Sequence, residues 1–504
     1  MPTNFEQTKD PEQPVPHVAT GSGPLITRRR LLAAGTAGIA SAMLAACGEE
    51  ESATNNRLPA LPTASQETVR AQAVAATVTE AAPRDVGGLP EPGAQRAVRV
   101  AFTAPTWSVW GFGIEPMLLS AGLAASAASE RRYRYERSTI TDHFKSDYSL
   151  SAQLDSLPGG GAELLMFHAH DLPDLLASEQ LLPLDDHLQS DADFDPAVYW
   201  PGTLETGFHA GVQYTLPVAV APWSIVFNRD LAKESGIEMP DRQGFDRAAF
   251  LQAGLAMQGG PSIEGREHGL GFLLQVDPRP GPGGDYASWP PAYVFMQAAL
   301  GDLRGSSGTF EALRSAEALE ITQFFRDMAH TYGFAPKPER SGERVWITYT
   351  EGSIGMWGES IQGPGYAWLR AGPFPNQVLY PFPDFGAGGN PADVWTMIGI
   401  SAKTTEPKVA YDALRALERS LRDVAFVPAA KSTPEQLRTI APGLLDEELQ
   451  MIVDLMASAS YVRLSRRERG ALTNAIDAGI VLEGISAQEA LLDAATSVER
   501  LADR

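Results

Sequence analysis

Cysteine is almost absent from this chain, because Cys47 is the only one among 504 residues. An internal disulfide is therefore excluded. Basic residues are also few, with 40 Lys and Arg against 62 Asp and Glu, which gives a formal net charge of −22. Phosphate-binding surfaces need clustered Lys and Arg, so we expect no nucleic-acid partner. Long apolar runs are missing as well, since no segment after Cys47 offers the ~18 uncharged residues of a transmembrane helix.

The single cysteine closes a segment that has the layout of an export signal. Arg28 and Arg29 stand before the uncharged run 31–46, which is too short and too rich in Ala and Gly to span a bilayer well. The arginine pair resembles the twin-arginine export motif. The residues 44–47, Leu-Ala-Ala-Cys, resemble the bacterial lipobox. The alternative is a basic arm beside a buried helix.

These resemblances imply that residues 1–46 are a signal peptide and that Cys47 is the lipidated first residue of the mature protein. One acyl chain holds a protein only marginally, so the resemblance implies more than one. Residues 47–95 contain Pro, Ala, Thr and acidic residues but almost no aromatic ones. This composition is typical of a flexible tether. We expect a lipid-anchored protein at the extracytoplasmic face of the cell membrane.

The remaining residues, 96–504, are too many for one core and predict two lobes. At the start of this body, strands at 97–103, 133–138 and 163–168 alternate with helical segments. The β-α-β-α-β order predicts an α/β fold with a mostly parallel sheet and helices on both faces. Ligands of such sheets bind outside the carboxyl ends of the strands. Those ends carry the segments 103–113 and 168–171.

Further along, three stretches are similar to one protein family. The residues 213–237 read as a strand followed by Asn228-Arg229-Asp230 and a short helix that Gly236 can end. The residues 346–358 and 394–402 read as a Gly-containing turn into a strand and as a later apolar strand. Together with their order, these stretches resemble family 1 extracellular solute-binding proteins of ABC importers.

This resemblance implies a two-lobed, type II periplasmic-binding-protein-like fold in which crossing strands join the lobes. We expect lobe 1 to comprise residues 96–217 and 384–425, and lobe 2 to comprise 218–383 and 426–504. The resemblance implies a non-catalytic, monomeric receptor that closes on a mono- or oligosaccharide and delivers it to ABC permease subunits. No cofactor is expected. The chain departs from the family at Gly161-Ala162-Glu163 and at Gly244-Phe245.

Sugar recognition needs aromatic rings for the C–H faces and polar groups for the hydroxyls, because a buried unpaired polar group is costly. Tryptophans in loops and at strand ends are the candidate stacking platforms, and two carboxylates are candidate hydroxyl acceptors. The predicted ligand-binding residues are Trp107, Trp110, Asp171, Trp223, Trp357, Glu359 and Trp395.

Two other chemistries were compared with this interpretation. His168, His170 and Asp171 could contribute to a metal site, but no further clustered His or Cys supports one, so we expect none. An anchored hydrolase of glycans is the alternative function. It would need two carboxylates at a defined separation, and 62 acidic residues make chance pairs unavoidable.

Overall fold

The structure is a computed structural model, and it describes residues 96–103, 121–122, 124–126, 133–140, 150–157, 161–259, 270–277, 287–304, 309–335, 354–361, 376–386, 389–423, 425, 427–441 and 443–502. The predicted signal segment, Cys47, the tether, Trp107 and Trp110 lie outside the described residues. Within these ranges, no helix combines the length and the hydropathy that crossing a bilayer requires.

The strands are β1 (Arg96–Thr103), β2 (Tyr133–Ile140), β3 (Leu164–Phe167), β4 (Phe208–His209), β5 (Val212–Gln213), β6 (Thr215–Asn228), β7 (Leu270–Leu273), β8 (Gln275–Asp277), β9 (Ala287–Trp289), β10 (Ile354–Ser360), β11 (Gln377–Pro381), β12 (Asn390–Ile400) and β13 (Ala459–Tyr461). The helices are α1 (Leu150–Asp155), α2 (Leu172–Ala177), α3 (Asp185–Ser190), α4 (Arg229–Glu234), α5 (Arg247–Met257), α6 (Ala292–Leu300), α7 (Ala316–His330), α8 (Pro407–Arg422), α9 (Pro434–Ile440), α10 (Asp446–Ala457), α11 (Arg466–Leu472), α12 (Gly479–Val481) and α13 (Ala487–Ala502).

The first three strands form the parallel arrangement that the sequence predicts. β1 pairs in parallel with both β2 and β3. β12 then pairs antiparallel with β3 and β6. We call this group, completed by β13, the first sheet. The expected parallel pairing is therefore found among β1, β2 and β3 and between β12 and β13, whereas the long strand β6 pairs antiparallel with its neighbours.

β6 is the strand that joins the two halves of the fold. Its first part, up to Pro222, pairs with β12, and its second part, from Trp223, pairs with β10 and β11. Thirteen of its fourteen residues are buried, as expected for a strand covered on both faces. Proline cannot donate a ladder hydrogen bond, which explains why the change of partner falls at Pro222. The second sheet consists of β7, β10, β11 and this second part of β6.

A further segment follows the crossing strand. The backbone N–H of Val220 donates to the carbonyl of Val427 at 2.9 Å, and the N–H of Ala429 donates to the carbonyl of Val218 at 2.9 Å. Beyond β6, Asn228 Oδ1 accepts a hydrogen bond from the Leu231 N–H at 3.2 Å and caps α4. Gly236 ends that region with a φ of 70°, the left-handed conformation predicted for it.

Three groups of buried side chains hold the sheets and helices together. One lies between the first sheet and α8 and includes Phe102, Ile398 and Leu414. Another joins the second sheet to α5, α6, α7 and α13 and includes Phe272 and Phe295. The third contacts both sheets and contains buried residues of α9 and α10. Each sheet thus has its own core on one face, and a shared core crosses between them.

Charged groups are buried beneath α8. Glu418 is 0% exposed and accepts hydrogen bonds from Arg415 at 2.7 Å, from Arg422 at 2.6 Å and from the Tyr199 hydroxyl at 2.9 Å. Asp191 accepts a second hydrogen bond from Arg415 at 2.9 Å. A buried ion pair is tolerated when hydrogen bonds satisfy its atoms, and its loss leaves an uncompensated charge. This network therefore fixes α8 to the loop that carries Tyr199.

We predict that Glu418→Ala lowers the free energy of unfolding by about 3–5 kcal/mol, because it leaves the buried Arg415 and the partly buried Arg422 without their shared carboxylate. Chemical denaturation monitored by circular dichroism measures this loss. The control is Asp412→Ala, which removes an exposed carboxylate from the same helix and should change stability by less than about 0.5 kcal/mol. Equal effects of the two substitutions would contradict the structural role of Glu418.

Candidate functional site

Polar side chains from three regions of the chain meet where the two sheets join. The end of β3 contributes His168, His170 and Asp171, the crossing strands contribute Trp223, Asp393 and Trp395, and the second half contributes Tyr293, Arg466 and Arg469. We call these nine residues the junction cluster.

His168 connects the end of β3 to β12. Its side chain is 2% exposed, its Nδ1 lies 2.7 Å from the carbonyl oxygen of Trp395, and the two rings are 4.4 Å apart. A carbonyl only accepts, so Nδ1 carries the proton of this hydrogen bond. Burial lowers the pKa of His168 to about 4. The imidazole is therefore neutral at physiological pH and holds the half-buried Trp395 in place.

Asp171 is buried beside an arginine from the other half of the molecule. It is 1% exposed, and its Oδ1 accepts hydrogen bonds from Arg466 Nε at 3.1 Å and Nη2 at 3.0 Å. Arg466 Nη2 also lies 3.1 Å from His170 Nε2. Asp171 Oδ2 has no hydrogen-bond partner among the described residues. Burial raises the pKa of Asp171 to about 6, although Arg466 acts in the opposite direction.

A second carboxylate–arginine pair is formed by Asp393 and Arg469, which follows Arg466 by three residues in α11. Asp393 Oδ1 accepts a hydrogen bond from Arg469 at 2.6 Å, and its Oδ2 accepts one from the Trp223 indole at 2.9 Å. Arg469 also donates to the Tyr293 hydroxyl at 3.3 Å. Trp223 is 2% exposed. This pair therefore connects both crossing strands to the helices of the second half.

The structure brings three of the predicted ligand-binding residues together, namely Asp171, Trp223 and Trp395. Trp357 and Glu359 lie elsewhere, because the register pairs Ser360 with Trp223 and Glu359 with Ser224. Neighbouring side chains of a strand point to opposite faces, so Glu359 and Trp357 face away from Trp223.

Two of the predicted stacking platforms are buried. Trp357 is 2% exposed and packs in the shared core with Val226 and Leu379. Trp223 is equally buried. In this conformation neither indole offers a face to solvent, and their role in ligand binding stays a prediction.

Glu359 is a partly buried carboxyl group near the end of β10. Burial raises its pKa to about 8, while a hydrogen bond with the Trp357 indole acts in the opposite direction. The carboxyl group is therefore largely protonated at neutral pH. Glu359 can donate a hydrogen bond as well as accept one, which differs from the acceptor role that the sequence predicted.

Sequence analysis missed Tyr293, Arg466 and Arg469. The one signal in the sequence is the arginine-rich stretch 463–469 in an otherwise acidic chain. No group of three or more metal-ligating side chains occurs in the described ranges. His168 and His170 instead contact Trp395 and Arg466.

A groove of about 810 Å³ lies away from the junction cluster, between α5, α7 and the start of α13. Arg247 and Glu320, which line it, form an ion pair at 2.6 Å. Nothing in its described lining indicates a ligand, so we place the candidate site at the junction cluster.

Solved structures of known proteins share the fold of this chain. Solved structures that match include an ABC substrate-binding protein of Listeria monocytogenes in complex with cycloalternan, at 12% identity and a TM-score of 0.62, over 81% of this chain and 99% of that chain. A solute-binding protein of Thermotoga lettingae bound with α-D-tagatose matches at 15% identity and a TM-score of 0.58, over 81% of this chain and 100% of that chain. The sugar-binding protein MalE of Xanthomonas citri matches at 17% identity and a TM-score of 0.56, over 81% of this chain and 98% of that chain.

At these identities the structural likeness shows the fold, which is the two-lobed, type II periplasmic-binding-protein-like fold. A comparison with curated proteins gives no match. The model of the family described as bacterial extracellular solute-binding protein matches residues 151–419, which is more than half of the chain. The chain therefore belongs to the family of bacterial extracellular solute-binding proteins.

Proposed function

We propose that this protein captures a carbohydrate at the junction cluster and delivers it to ABC permease subunits at the membrane. The observation that carries the proposal is Asp171 Oδ2, a buried acceptor without a hydrogen-bond partner among the described residues. A buried acceptor without a hydrogen bond costs free energy, and a donor that reaches it removes this cost. A sugar hydroxyl is such a donor. Trp395, whose ring packs 4.4 Å from that of His168, is half-buried and supplies an aromatic surface for a sugar ring.

The charges of the cluster support a neutral ligand. Asp171 pairs with Arg466 and Asp393 pairs with Arg469, so two carboxylates balance two guanidinium groups. His168 adds no charge, because burial lowers its pKa to about 4. A polyamine or a phosphorylated polyol would bring an uncompensated charge into this region, whereas a sugar brings none.

Binding by closure follows from the way the chain crosses between the sheets. We propose lobe 1 as residues 96–217 and 384–425 and lobe 2 as 218–383 and 426–504, with bending at the Pro222–Trp223 change of partner. The separate cores of the two sheets support a division into two lobes. Val218 and Ala219 pack in the core of the first sheet and β13 pairs with β12, so these residues move with lobe 1. A ligand that touches both lobes stabilises the closed form because it makes more contacts there. The mechanism needs no bond cleavage, and we propose a monomeric, non-catalytic receptor.

We predict that a panel of maltose, mannotriose and α-D-tagatose, sugars related to those bound by the structural relatives, contains a ligand. This ligand raises the melting temperature in proportion to the logarithm of its concentration above Kd. Chromatography should recover the sugar unchanged. Trp395→Ala should raise Kd roughly tenfold, as measured by calorimetric titration.

The matched control is Phe208→Ala, which removes an aromatic side chain that is exposed on β4, outside the cluster. It should leave Kd unchanged. Cleavage of the sugar would favour the alternative function, an anchored hydrolase of glycans. An unchanged Kd for Trp395→Ala in a folded protein would contradict the placement of the site.

We predict that Glu359→Gln stabilises the protein more at pH 9 than at pH 5. At pH 5 the carboxyl group is protonated in the folded protein, so glutamine is a close substitute. The pKa of Glu359 is raised to about 8 by burial, so stability is lost as pH rises from the ordinary pKa of an unfolded glutamate through 8. Glutamine does not titrate and avoids this loss.

Melting curves at both pH values measure the effect, and the difference between variant and parent should grow by on the order of a few °C. Glu483→Gln, at an exposed position, is the control and should show no such growth. A difference that does not depend on pH would contradict a buried, protonated Glu359.

We propose that Cys47 carries the lipid anchor and that Arg28 and Arg29 direct export. These residues come from the sequence pattern, and the family's extracellular location supports them. We predict that Cys47→Ser moves the protein from the membrane fraction to the soluble fraction of cells, because the acyl chains would be lost. Immunoblots of both fractions measure this change. A variant that stays with the membrane would contradict the anchor.

A further inference from the structure

We propose that the ion pair between Asp171 and Arg466 is a latch that breaks when the lobes separate, while the ion pair between Asp393 and Arg469 persists as a pivot. This inference rests on the proposed opening and closing of the lobes. It assigns different roles to two carboxylate–arginine pairs whose arginines lie on the same helix, three residues apart.

The latch pair joins elements that belong to different cores. Asp171 follows β3, a strand of the first sheet. Arg466 is the first residue of α11, a helix whose later residue Leu472 is buried in the core of the second half. Their ion pair, at 3.0 Å, therefore connects one half of the molecule to the other without a shared strand. Relative movement of the halves must lengthen it.

The pivot pair, by contrast, joins elements that stay together. Asp393 lies in β12 and pairs with Ala221 of the crossing strand β6. Arg469 donates to the carbonyl oxygen of Val462 at 3.4 Å and to that of Leu464 at 3.3 Å. Val462 follows β13, whose residues pair with the start of β12. Both partners thus lie next to the strand crossing, about which the lobes bend, so bending changes their distance less than that of the latch pair.

The latch is suited to opening because hydrogen bonds offset only part of the free-energy cost of burying the Asp171 carboxylate. Its Oδ1 is held by Arg466, but its Oδ2 lacks a hydrogen bond from the described residues. Desolvation of a buried ion pair roughly cancels its attraction, so the intact pair holds the lobes weakly. Removal of the arginine alone leaves a buried carboxylate without its cation, a situation that strongly favours exposure of Asp171 to water.

The test measures the separation of the lobes without ligand, in the full chain with Cys47→Ser so that spin labels attach only at introduced cysteines. Gln189→Cys on α3 and Asp493→Cys on α13 provide one exposed label on each half. Double electron–electron resonance spectroscopy then gives the distribution of distances between the two spin labels. Arg466→Gln should raise the ratio of open to closed molecules at least about tenfold.

Arg467→Gln is the matched control, because this arginine is the next residue of the same helix and is exposed. It should leave the distribution of the parent protein unchanged. Arg466→Lys keeps the charge and should give an intermediate ratio, which separates loss of the ion pair from damage to folding. Circular dichroism spectra confirm that each variant is folded.

The proposal is overturned if Arg466→Gln and Arg467→Gln give the same distribution, or if the parent protein is already fully open. Because no sugar is present, this result is independent of the proposed function. Failure of every sugar to bind would contradict the function and leave the latch intact. An unchanged distance distribution would remove the latch and leave carbohydrate binding intact.

Discussion

The structure depends on one constraint: a single strand, Thr215–Asn228, serves two sheets. Its residues are apolar almost throughout, so it is stable only where both faces are covered. Pro222 interrupts the ladder in the middle of this strand, and the pairing partner changes there. Two cores can therefore form on one continuous backbone, and a change in the angle between the sheets can be absorbed at one position.

The junction that results is polar, and this decides how it can function. Asp171, Asp393, Arg466 and Arg469 are brought to one place from the two halves and the crossing strands. Charges in such a place are acceptable only when paired. The pairing leaves no net charge, while one oxygen of Asp171 stays without a hydrogen bond from the described residues. A neutral molecule rich in hydroxyl groups fits that combination better than an ion does.

Local sequence patterns were enough to predict much of the fold. β1 and a cap of α4 by Asn228 or Asp230 follow from alternation and from side-chain chemistry within a few residues, and the structure shows that Asn228 is the cap. The strand predicted at 133–138 is observed as Tyr133–Ile140. β6 runs unbroken through Pro222, although proline normally argues against a central strand. The change of pairing partner at this residue explains how the proline is accommodated.

The site was harder to predict than the fold. Asp171 and Trp395 follow from their residue types and from predicted positions at the ends of elements, although the structure places Trp395 in the middle of β12. The partners of these residues could not be predicted. Arg466 is 295 residues from Asp171 in the chain, and no local pattern connects the two. Trp223 and Trp357 are buried because they lie inside β6 and β10 and not at the strand ends where the sequence pattern placed them.

Small-angle X-ray scattering of the protein with and without the sugar that raises its melting temperature tests the central claim most directly. Capture between two closing lobes predicts that the radius of gyration falls when the sugar is added at saturation. Saturated binding with an unchanged radius of gyration would contradict the account.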